Sequence, residues 1–120
     1  MLHQRTPTEV FEDHLRLRLA GKLEEDLRRN YAEDVALLTV NSNERGHDAL
    51  RVSARRLAEQ LPDAEFEFLA RQVSGPYALL VWRATSATAR VEAGADSFVI
   101  EGGKIRMQTI HYRLIDAASG

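Results

Sequence analysis

Gly102-Gly103 stands between two runs of strand-forming residues, Ser97-Phe98-Val99-Ile100 before it and a segment beginning at Lys104 after it. Two glycines that accept positive φ, flanked in this way, predict an antiparallel hairpin. A hairpin needs further strands to be stable, and the chain supplies them. Glu65-Phe66-Glu67-Phe68 alternates as a half-buried strand does, and Tyr77 to Thr85 is strongly apolar around Trp82. Arg90 to Glu101 leads into the glycines, and Lys104 to Ile115 forms the last strand. A short apolar run, Val35 to Val40, adds one more, followed by the turn cluster Asn41-Ser42-Asn43.

The remaining segments read as helices. Thr6-Pro7-Thr8-Glu9 carries a Thr cap, Pro in the first turn and Glu three residues after the cap. The helix it starts presents Val10, Phe11, Leu15, Leu17 and Leu19 with His14 among them, and Gly21 breaks it. A short second helix spans about Leu23 to Asn30, within the most charged part of the chain, Leu23 to Asp34. The signs alternate there, as on a solvated helix face. Asp48 to Leu61 is a third helix with Leu50, Ala54, Leu57 and Leu61 on one face, and Pro62 marks its end. Three helices and a mostly antiparallel sheet make an α+β domain. No linker or repeat divides it, so residues 1–120 are read as a single domain.

Composition narrows the function classes. The chain has 120 residues, 44% hydrophobic and 28% charged, which is ordinary for a globular domain. A net charge of −2 with scattered Lys and Arg gives no nucleic-acid footprint. With no cysteine, disulfides and thiolate chemistry are excluded. No apolar run is long enough for a membrane span, and the first ten residues lack a signal-peptide core. The expectation is a cytoplasmic protein without nucleic-acid or membrane partners. The four histidines, at 3, 14, 47 and 111, show no ligand spacing, and no glycine-rich phosphate loop exists. Neither a metal nor a cofactor is expected.

Gly21 with the short helix up to "NYAEDV" (Asn30 to Val35), "RGHDALR" (Arg45 to Arg51), "DSFVIEGGKI" (Asp96 to Ile105) and "QTIHY" (Gln108 to Tyr112) occur in an order and spacing that carry a family likeness. The chain resembles the nuclear transport factor 2-like superfamily in its SnoaL-like branch, over nearly its whole length. The resemblance implies a curved, mostly antiparallel sheet wrapped around three helices: a cone-shaped, cystatin-like α+β roll with a pocket at its mouth for a small, often apolar molecule. It also implies a homodimer through the outer sheet face. Ketosteroid isomerase, scytalone dehydratase, limonene epoxide hydrolase and polyketide cyclases share the fold, as do members without known activity.

Asp96 is the leading candidate. It matches the cavity-facing Asp of ketosteroid isomerase-like sequences, and strand alternation puts it on one face with Phe98 and Ile100. A carboxyl facing inward there has its pKa raised by desolvation unless a cation pairs with it. The plainer alternative is a strand-end Asp bonded to backbone or solvent. His14 occupies the place of a Tyr that partners this Asp in the same relatives, which predicts His14 and Asp96 as an acid–base pair. The alternative is a helix His at the core edge with one hydrogen bond. The expected pocket lining is Trp82, Phe66, Phe68, Phe98, Gln108, Ile110, Tyr112 and Thr39. Tyr31 and Asp34 are read as fixing the entry to the first strand, and His111 as a residue of the dimer face.

The chain departs from three catalytic patterns of its relatives. The general base of ketosteroid isomerase has Thr39 at its counterpart, and the last-strand acid of polyketide cyclases and epoxide hydrolases has Ile110. No Arg–Asp pair of the epoxide hydrolase kind is visible around Trp82 to Ser86. Three functions stay open: a cofactor-independent isomerase, lyase or cyclase using Asp96 and His14, a non-catalytic pocket protein for an apolar metabolite, and a structural homodimer.

Overall fold

The structure, a computed structural model, describes residues 4–117. His3, one of the histidines weighed as ligands, lies outside the described residues. The elements in chain order are α1 (Pro7–Leu19), α2 (Leu23–Asn30), β1 (Tyr31–Thr39), β2 (Ser42–Arg45), α3 (His47–Gln60), β3 (Glu65–Ser74), β4 (Tyr77–Thr85), β5 (Ala89–Glu101), β6 (Lys104–His111) and β7 (Ile115–Asp116). The strands form one curved, unclosed sheet in the order β2-β1-β6-β5-β4-β3, with β7 pairing to β5. Every pairing is antiparallel except β1 with β6. This is the α+β pattern read from the residues, in the cone shape that the family resemblance implies.

Local chemistry explains most boundaries. The α1 capping box is complete: Thr6 Oγ1 accepts from Glu9 N at 3.1 Å, and Glu9 Oε1 accepts from Thr6 N at 2.8 Å. Gly102 and Gly103 take φ of 63° and 75°, the left-handed pair that a two-residue hairpin between β5 and β6 requires. Strand register shifts between Phe68 and Ala70, between Trp82 and Ala84, and between Val99 and Ile100. Each such irregularity bends its strand. Together they curve the sheet so that α1 packs against β3, β4, β5 and β6 on the concave side. There Phe11 of α1 meets Phe98 of β5 edge-on with ring centroids 5.3 Å apart. Val10, Leu15, Leu27, Val35, Leu37, Ile100 and Ile105 pack in the same core.

Four sequence expectations need correction. The first strand starts at Tyr31 rather than Val35, because Tyr31 and Ala32 are buried and Tyr31 pairs with Ile105 of β6 as the chain leaves α2. Ser42 and Asn43 belong to β2, which pairs back on β1, and the turn is Val40-Asn41. The β3 strand runs to Ser74, well past its alternating segment, since β4 offers it a partner from Glu65 to Ser74 with one irregularity at Leu69. The last strand is not continuous to Ile115. Residues 112–114 leave the sheet, and β7 then pairs with the first residues of β5, beyond the reach of β6. Among the described residues no helix is long and apolar enough to cross a membrane.

Candidate functional site

The concave face of the sheet and the helices enclose a cavity of about 90 Å³. That is room for several water molecules or one small organic group. α1 contributes His14, Leu15 and Arg18, and α3 contributes Leu50, Ser53, Ala54 and Leu57. The sheet side is formed by Phe66 and Phe68 of β3, Leu80 and Trp82 of β4, Asp96 of β5, and Gln108 and Ile110 of β6, with Tyr112 just beyond.

Asp96 is the polar centre of the sheet side. Its Oδ1 accepts from Trp82 Nε1 at 3.0 Å and its Oδ2 from Gln108 Nε2 at 3.0 Å. The strand register makes these contacts. Trp82 lies opposite Gly94 and Gln108 opposite Phe98, so each is a diagonal neighbour of Asp96 on the same face. Gly94 is essential to the first contact. A Cβ there would stand 2.3 Å from Trp82 Cε2, so only glycine lets the indole lie across β5 with its N–H aimed at the carboxylate.

The network continues to Tyr31, whose hydroxyl donates to Gln108 Oε1. Burial, reinforced by the charges of Asp26 and Asp96, drives the Tyr31 pKa well above its ordinary value, so the phenol remains a donor. It thereby fixes the Gln108 amide with its NH₂ toward Asp96. Burial also raises the Asp96 pKa, against the opposing pull of the Trp82 and Gln108 hydrogen bonds and of the nearby His14 and Arg18.

His14 faces the same cavity but does not bond Asp96. Its Nδ1 lies 2.8 Å from Oδ2 of Asp26, which is fully buried on α2. Asn30 Nδ2 holds the other oxygen of Asp26 at 2.9 Å. A carboxylate on Nδ1 makes that nitrogen the donor, which leaves the lone pair of the neutral ring on Nε2. Among the described residues Nε2 has no hydrogen-bond partner, yet no buried polar side-chain atom of theirs is left unsatisfied. It therefore retains access to the cavity that His14 lines. The ring is clamped edge-on by Tyr31 and Phe98, at centroid distances of 5.7 and 5.3 Å.

The expected direct pair is thus corrected. His14 and Asp96 share a cavity, but each is held by its own partners, because α2 delivers Asp26 to the imidazole first. The alternating charges of α2 do not all face solvent. Leu23, Asp26, Leu27 and Asn30 follow i, i+3, i+4, i+7 spacing, the stripe of a half-buried helix, and Asp26, Leu27 and Asn30 are buried. That spacing was the available signal for Asp26. Tyr31 is likewise a core member of the Asp96 network, in addition to standing at the strand entry.

Six of the eight residues expected to line the pocket do so: Trp82, Phe66, Phe68, Gln108, Ile110 and Tyr112. Phe98 does not, because Phe11 and His14 cover its ring and bury it as the floor beneath. Thr39 does not either. It ends β1 next to the Val40-Asn41 turn, where its Oγ1 accepts from Asn41 N, and it borders a separate depression on the far side of Ile110 and Tyr112. Tyr112 donates to Gln60 Oε1 of α3, and burial raises its pKa.

Comparison with known proteins places this geometry in a family. The chain is similar in structure to a nuclear transport factor 2-like protein from Burkholderia thailandensis, with 19% identity, a TM-score of 0.77, and coverage of 91% of this chain and 92% of that one. A candidate SnoaL-like polyketide cyclase from Mesorhizobium loti matches with 19% identity and a TM-score of 0.63, over 90% of this chain and 100% of that one. A candidate ketosteroid isomerase from Kribbella flavida matches with 19% identity and a TM-score of 0.66, over 87% and 75% of the two chains. At these identities the likeness establishes the fold alone. No curated protein sequence matches the chain. The model of the SnoaL-like domain matches residues 11–107, from within α1 to the middle of β6, and the chain belongs to the SnoaL-like domain family.

Proposed function

We propose that this protein is a cofactor-independent acid–base enzyme of isomerase, lyase or cyclase type, acting on a small, largely apolar carbonyl compound in the central cavity. The observation that carries the reading is the division of labour around one cavity. His14 is oriented through Nδ1 by a buried carboxylate and presents a free Nε2, while Asp96 faces the same space with a raised pKa. Such a pair suits proton transfer, one group taking the proton while the other supplies one. His14 Nε2 removes a proton from the carbon next to the carbonyl, and the C–H electron pair moves into a C=C bond as the carbonyl oxygen becomes an enolate. Asp96, whose pKa burial raises, hydrogen-bonds that oxygen in its protonated form. The imidazolium then returns its proton to carbon, which closes the cycle without a co-reactant. His14 takes the place of the base missing at Thr39.

The test is deuterium exchange at the carbon next to the carbonyl in a panel of small cyclic ketones and enones, followed by proton NMR. Wild type is expected to accelerate exchange of at least one member. His14→Gln is expected to lose about 10²- to 10⁴-fold of that acceleration, with Asp96→Asn also slowed. An inert wild type, or full activity in His14→Gln, ends the enzymatic reading. The smallness of the cavity and the absent carboxyl at Ile110 favour one alternative, binding without turnover. Ligands that bind without exchanging protons support it.

The reading extends to a homodimer through the convex sheet face. Tyr77, Leu79 and Val81 of β4, Val99 of β5, Met107 of β6 and Leu38 of β1 occupy adjoining rows there. Tyr77, Leu79 and Leu38 are 62%, 38% and 43% exposed. An uncharged patch of this kind suits a two-fold contact with itself.

A further inference from the structure

Arg18 stands out among the basic side chains of α1. Arg16, in the same last turn, bonds Asp13 at 2.8 Å. Arg18 makes no side-chain hydrogen bond or ion pair with any described residue, although it is only partly exposed. It lines the central cavity and also an outer depression of about 460 Å³ bounded by Leu19, Leu57, Ala64, Glu65, Phe66 and Phe68. Phe66, Phe68 and Leu57 border both spaces, so the depression is the approach to the cavity and Arg18 is at the threshold. Two carboxylates are near, Glu65 in the depression and Asp96 in the cavity. Neither comes within ion-pair distance of Arg18 in the described structure. A partly desolvated guanidinium keeps five N–H donors in a planar fork that matches a carboxylate with two parallel hydrogen bonds. The surrounding walls are aromatic and aliphatic.

We infer that Arg18 is the specificity residue for an organic acid, binding the carboxylate of a ligand whose short apolar body enters the cavity past Phe66 and Phe68. This deepens the proposed function by naming the substrate class, and it rests on that reading only for the location of the ligand. An oxo acid would place its carboxylate on Arg18 and its carbonyl further in, toward Asp96.

Trp82 provides the assay, since it is the only tryptophan and lines the cavity. Its emission is followed while the protein is titrated with phenylacetate, cyclohexanecarboxylate and hexanoate, and with the matched amides and amines. Wild type is expected to bind the acids about ten- to a hundredfold more tightly than the amides. Arg18→Gln is expected to abolish that preference while amide affinity stays the same, and Arg18→Lys to retain part of it. Equal affinities for acid and amide, tighter binding of the amines, a preference that survives Arg18→Gln, or acids that never perturb Trp82 would each overturn the inference. None of these binding results depends on turnover. A protein that prefers acids but exchanges no protons keeps the assignment of Arg18 and loses only the enzymatic reading.

Discussion

Burial raises the pKa of Asp96 above its ordinary 3.8, while hydrogen bonds from Trp82 and Gln108 pull it the other way. The sign of the net shift has a thermodynamic consequence. Well below pH 3.8 the carboxyl is neutral whether the chain is folded or unfolded. Above that pH the unfolded chain ionises first, so stability falls as pH rises, until the folded group ionises as well. Asp13 and Glu24 have lowered pKa values and act in the opposite sense, but they are common to wild type and Asp96→Asn. The difference in urea-unfolding free energy, wild type minus Asp96→Asn, is therefore expected to decline as pH rises through the ordinary carboxyl value of 3.8 and then level off. Because the new amide also faces the Gln108 NH₂, the variant carries a constant offset. A difference that is flat, or that grows with pH, would show that Asp96 is not held in a desolvated site. The inward direction of Asp96 was legible from strand alternation with Phe98 and Ile100. The identity of its partners was not, because Trp82 and Gln108 are 14 and 12 residues away and meet it only across strand registers, and Tyr31 joins through Gln108, 77 residues on.

At the level of elements, β4 and β5 act as a jig for the indole. Gly94 has an ordinary backbone conformation, so its side-chain hydrogen is required by the Trp82 ring and not by a turn. Gly94→Ala is expected to displace the ring, break the bond from Nε1 to Asp96 and cost about 1–3 kcal/mol, as overpacking does. The single indole N–H resonance should move upfield with loss of that bond. An unshifted resonance in an equally stable protein would mean that the strands have more slack than the registers indicate. Helix α2 gives the complementary case. Its boundaries were readable, but its charge pattern pointed to solvent, whereas the i, i+3, i+4, i+7 stripe of Leu23, Asp26, Leu27 and Asn30 pointed inward. The stripe won because Asp26 and Asn30 satisfy one another and His14, which removes the penalty for burying them.

For the whole molecule, the proposed dimer predicts a solution mass of twice the 13.5 kDa chain by light scattering. Leu79→Lys, which puts a charge in the centre of the convex face, should give a folded monomer with the same far-ultraviolet circular dichroism. A monomeric wild type, or a Leu79→Lys variant that remains dimeric, would dismiss this face as the interface. The sequence by itself determined the helix cap at Thr6, the Gly102-Gly103 hairpin, the β4 strand and the inward face of Asp96. Each depends on periodicity or backbone chemistry within a few residues. Only the tertiary structure decided that His14 belongs to Asp26, that Gly94 serves Trp82, that Thr39 and Phe98 miss the cavity, and that Arg18 waits at its threshold. Those outcomes depend on strand register, sheet curvature and the seating of α1 and α2. They arise when segments remote in the chain compete for the same enclosed space and the same hydrogen-bond partners.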